Sequence, residues 1–66
     1  MSDEEIAQEL RVRRAVEAVK RTGAWKTFAE AVITRGLPLD ASVMTREQAD
    51  AFVELADAWE AEVRRG

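Results

Sequence analysis

The side chains that most often carry covalent or proton-transfer chemistry are nearly missing from this sequence. It has no Cys and no His, so it lacks a thiolate nucleophile, an imidazole base and the commonest zinc ligand. Its two serines, Ser2 and Ser42, fall where a helix cap and a loop are expected, with no imidazole to take their protons. What remains is a row of carboxylates. Glu54, Asp57 and Glu60 follow one another at intervals of three, as neighbours on one helical face. A general acid of this type needs an apolar pocket, and a chain of 66 residues can hardly enclose one. The same acids could hold magnesium or calcium weakly, but no EF-hand spacing or glycine-containing acidic loop accompanies them. Gly23, Gly36 and Gly66 stand apart, so no phosphate-cradling motif forms. The expectation is a protein that is not an enzyme, with no cofactor, no metal and no small-molecule substrate.

The charges offer contact chemistry instead. Net charge is −3, yet the signs are segregated. From Arg11 to Lys26 the basic residues Arg11, Arg13, Arg14, Lys20, Arg21 and Lys26 face a single acid, Glu17. From Asp40 to Glu62 the acids Asp40, Glu47, Asp50, Glu54, Asp57, Glu60 and Glu62 face only Arg46. The plainest use of this pattern is mutual neutralisation, within one bundle or between chains. Exposed pairs are worth about 0–1 kcal/mol each, so they set helix order and partner register more than stability.

Those side chains must be positioned by helices. Ser2 and Glu5 form a capping-box pattern, and Asp3 and Glu4 complement the dipole of a first helix over residues 3–21. Gly23 stops it. A second helix is expected over 24–35, closed by Gly36, and a third over 46–64, opened by the capping box Thr45-Arg46-Glu47-Gln48. Met44 stands where a hydrophobic staple to Ala49 would form. Between them, Pro38 breaks the helix and Asp40 can start one short turn. The result is an all-α, three-helix bundle, one domain over 1–66.

Periodicity marks the core. In the third helix Ala49, Phe52, Val53, Ala56, Trp59 and Val63 follow the amphipathic template, with Leu55 at the edge. In the second, Trp25, Phe28, Ala29, Val32 and Ile33 share a face. These two faces hold every aromatic residue, so the second and third helices are expected to form an aromatic core that the first completes. Trp25 and Trp59 can serve as core or as core edge, where an indole N–H finds a partner.

The first helix carries two stripes. Val12, Ala15, Val16 and Val19 make one, and Ile6 and Leu10 point roughly 80–120° away from it. Either this second stripe covers the loop around Leu37 and Leu39, or it meets another chain. A chain this short buries only about 60% of the surface its unfolded form exposes. With no disulfide to add, association is a natural further source of stability.

Three functions are therefore weighed. The first is a protein-protein interaction or assembly module, a homodimer or other self-associating form, using Ile6, Leu10, Arg13, Arg14 and Glu17. The second is a small dimeric DNA-binding regulator of helix-turn-helix type using Arg11, Arg14, Lys20, Arg21 and Lys26. Residues 28–38 loosely resemble a first motif helix closing at glycine, but the gap from Gly36 to Thr45 is too long and the next helix is acidic. An acidic protein is also a poor general binder of phosphate backbones, so nucleic acid is disfavoured. The third is an acidic inhibitor or mimic that presents Asp50, Glu54 and Asp57 to a basic partner. No apolar run is long enough to span a membrane, and the opening Met-Ser-Asp-Glu-Glu is acidic where a signal peptide is basic. A cytoplasmic location is the expectation.

Overall fold

In a computed structural model, which describes residues 3–66, the chain forms three α-helices and one short 3₁₀ turn. The helices are α1, Asp3–Thr22, α2, Trp25–Thr34, and α3, Arg46–Arg65. The 3₁₀ turn spans Ala41–Val43. The cap assigned to Ser2 lies outside the described residues. Acidic Asp3, Glu4 and Glu5 open α1 and basic Lys20 and Arg21 close it, both favourable to the helix dipole.

Each break has a local cause. Gly23 takes φ 79°, a left-handed conformation that side chains resist, and its N–H reaches the Lys20 carbonyl. Gly36 does the same at φ 75°, and α2 ends in paired backbone bonds, Gly36 N–H to Ile33 and Leu37 N–H to Val32. At Asp40 the carboxylate accepts from the Ser42 N–H at 3.0 Å, which starts the short turn. The second capping box is complete. Gln48 N–H donates to Thr45 Oγ1 at 3.2 Å, and Thr45 N–H donates to Gln48 Oε1 at 2.9 Å.

The three helices enclose one core of Val12, Ala15, Val19, Phe28, Val32, Met44, Ala49, Phe52 and Ala56. Phe28 sits at its centre. It meets Phe52 edge-on at 5.3 Å between ring centroids, Trp59 at 5.9 Å and Trp25 at 5.8 Å. The aromatic link between α2 and α3 is therefore present, with both tryptophans half-buried at its edge. Met44 and Ala49, the expected staple pair, are both buried.

The packing order differs from the expectation in one respect. The most extensive helix contact is α1 on α3, while α2 touches α3 chiefly through its rings. Ala15, Ala49 and Ala56 explain this, since small residues let two backbones approach where Phe28, Phe52 and Trp59 hold them apart. Arg11 pairs with Asp50, and Gln8 Nε2 donates to the Met44 carbonyl at 3.3 Å, so α1 and α3 begin at the same end and run parallel. The molecule is elongated, 39 × 21 × 15 Å.

Two stripe assignments are corrected. Ile33 is 62% exposed and Val63 is 40% exposed. Ten-residue α2 spans about 15 Å and α3 about 30 Å, so the shorter helix cannot cover the end of the longer one. Val63 stands past the last ring, Trp59, and Ile33 at the edge of the α2 stripe.

Candidate functional site

The chain bends at Leu39 and runs along α1 before entering α3, and that path leaves an open groove of about 810 Å³ between α1 and the connector. One wall is α1, with Leu10, Arg13, Arg14, Val16, Glu17 and Arg21. The other is Leu39, Asp40 and Ala41. Leu10 and Leu39 line it together, yet they remain 47% and 39% exposed. The loop is thus flanked by Leu10 and not sealed by it.

Of the five residues expected at a partner surface, the structure gathers Leu10, Arg13, Arg14 and Glu17 in this groove. Ile6 does not line it. It lies one turn earlier on α1, 44% exposed. Arg13 is held by Glu9 at 3.3 Å, an exposed pair one turn apart. Among the described residues neither Arg14, Glu17 nor Arg21 forms an ion pair.

Asp40, on the connector wall, titrates low. Its carboxyl is held below its ordinary 3.8 by the Ser42 backbone N–H first and the Ser42 hydroxyl second. The hydroxyl donates at 2.9 Å. The groove wall thus keeps a fixed negative charge opposite the arginines.

The five basic residues considered for nucleic acid do not form one surface. Arg11 turns to α3 and pairs with Asp50, both about half exposed. Arg14 and Arg21 line the groove. The Lys20 ammonium lies over the Trp25 ring at 5.4 Å, while Lys26 is exposed on α2. The acidic set Asp50, Glu54 and Asp57 stays exposed along α3, and among the described residues only Asp50 of the three forms an ion pair. Among the described residues no three carboxylates converge as a metal-holding group, and no helix is long and apolar enough to cross a membrane.

Leu39 beside Leu10 is one of the two expected uses of the second α1 stripe, whereas Asp40, Ala41 and Arg21 in the groove were not foreseen. The available signal was Leu37-Pro38-Leu39, two large apolar residues around a helix breaker in a connector too short to bury both. Leu37 packs on the core and Leu39 is left outside. Comparison with family models, with curated proteins and with solved structures finds no match to this chain.

Proposed function

We propose that this protein is a non-catalytic interaction module that assembles with itself through the outer face of α1. The observation that carries the reading is Leu10 with Ile6, two large apolar side chains left almost half exposed on a helix whose other side is fully packed. Charged side chains rim them, the arrangement of an interface with an apolar centre and a polar edge. A cytoplasmic setting fits this reading.

Two features weigh against a DNA-binding role. Arg11 is drawn away by Asp50, and the groove holds as many carboxylates (Glu9, Glu17, Asp40) as arginines (Arg13, Arg14, Arg21). A phosphate backbone gains affinity from uncompensated positive charge, which this groove does not present. The third reading, an acidic mimic that uses Asp50, Glu54 and Asp57, is weakened at Asp50, whose charge is already paired with Arg11.

Molar mass by light scattering at low and high salt tests the proposal. Self-association gives a dimer or larger species, and Leu10→Asp lowers the mass while far-UV circular dichroism stays helical. A folded monomer at both salts overturns self-association. Loss of helicity along with mass in Leu10→Asp would make Leu10 a core residue instead.

A further inference from the structure

Given the self-association proposed above, on which this step rests, the distribution of charge along α1 narrows its geometry. The helix is acidic at its start, with Asp3, Glu4 and Glu5, and basic at its end, with Lys20 and Arg21. It runs 20 residues without a break, about 30 Å. Asp3, Leu10 and Glu17 are spaced by seven and so share one column of its outer face. Arg14 and Arg21 form the neighbouring column. All five are exposed, and Leu10 lies close to the midpoint of the helix.

A surface of this kind complements itself in one orientation. Laid parallel, two copies of α1 would set acid against acid at one end and arginine against arginine at the other. Laid antiparallel, the acidic start of each meets the basic end of the other. A two-fold axis across the middle of the helix produces the antiparallel arrangement and brings the two Leu10 side chains near the axis. We infer that the outer face of α1 is the interface of an isologous dimer, two α1 helices antiparallel, with Leu10 beside the two-fold axis, Ile6 flanking it one turn further out and Asp3 of each copy opposite Arg21 of the other.

The balance of charge in the groove supports a second copy as the occupant. Three arginines and three carboxylates give no net sign to attract a polyanion or a strongly acidic peptide. Turned on itself, the outer face of α1 provides both halves of an ion pair at each end, Asp3 of one copy and Arg21 of the other. Leu39, on the far wall, widens the apolar centre. The contact also closes after two copies, because each copy uses the same patch.

The experiment is charge reversal followed by mixing, read as molar mass by light scattering at low salt. Arg21→Glu alone places like charges opposite each other at both ends of the dimer and weakens it about tenfold. Asp3→Arg alone does the same with the opposite sign. Mixing the two variants restores a 1:1 dimer. The arginine introduced at position 3 of one chain then faces the glutamate introduced at position 21 of the other, while the native Asp3 and Arg21 still face each other. Circular dichroism of each variant checks that α1 remains folded.

A dimeric parent protein whose mass is unaffected by either reversal overturns the antiparallel geometry and leaves self-association standing. Two monomeric variants that stay monomeric on mixing overturn the geometry in the same way. A parent that is monomeric at every concentration and salt overturns the self-association reading itself.

Discussion

The two sides of α1 solve the same problem differently. On the side that meets α3, Val12, Ala15 and Val19 are at most 8% exposed and face Ala49, Phe52 and Ala56, which are at most 2% exposed. On the side that meets the connector, Leu10 and Leu39 stand about half exposed over an open groove. The closed side is built from small and β-branched residues that let regular helices approach. The open side faces an irregular segment, tied to α1 among the described residues by the Gln8 bond to the Met44 carbonyl. A helix packs to full density against another helix because ridges fit grooves along its whole length. A connector whose backbone bends at Leu39 and turns again over Ala41–Val43 offers no such continuous partner.

The contrast is broken most severely from the closed side. Phe52 is fully buried and edge-on to Phe28, so Phe52→Ala is expected to cost about 3–5 kcal/mol. That is comparable to the whole stability a domain of this size commands, about 3–5 kcal/mol. Far-UV circular dichroism at 25 °C should show a largely unfolded chain. A cooperative native melt close to that of the parent would mean that the closed side does not hold the fold.

On the open side the expected loss of monomer stability is smaller. Leu10→Asp adds a helix-propensity cost of about 0.5 kcal/mol and forfeits only partial burial. Its denaturation midpoint, measured at a concentration where the protein is monomeric, should move much less than that of Phe52→Ala. Equal shifts would erase the distinction between the two sides.

The joint between connector and α3 tests an intermediate case. Thr45→Ala removes the acceptor for the Gln48 N–H and one half of the capping box. A loss of about 1 kcal/mol is expected in urea denaturation. No change would mean that Met44, buried beside Ala49, anchors the start of α3 without the cap.

The smallest effect belongs to Asp40. Its carboxyl titrates below 3.8, so its contribution to stability is fully present above that value and is lost as pH falls through the lowered one. Carboxyl NMR titration should find this depression. Ser42→Ala should return the value part of the way, because the Ser42 backbone N–H, the larger cause, remains. An Asp40 that titrates at its ordinary value would show that the groove wall is not fixed at this point.

Much of the architecture was legible beforehand. Glycine at 23 and 36 and the box at Thr45 to Gln48 located the helix boundaries to within one residue or two, because caps and left-handed stops are local backbone chemistry. Heptad-like spacing picked out Val12, Val19, Phe28, Val32, Phe52 and Ala56 as core. The candidate surface was only half visible. Leu10, Arg13, Arg14 and Glu17 share a helical face, and spacing reveals that. Leu39 and Asp40 join them from the connector, and spacing could offer the loop around Leu39 only as one of two alternatives, since no local pattern decides between residues nearly thirty positions apart.

Sequence by itself therefore determined the elements, their ends and the inward face of each helix, since these follow from backbone stereochemistry and the period of apolar residues. Tertiary structure decided which pair of helices closes tightly and which of the two α1 stripes stays open. It also decided that Ile33 and Val63 remain outside. Each of these depends on the relative length and approach of different elements, which is fixed only when side-chain volumes from distant parts of the chain meet in one core.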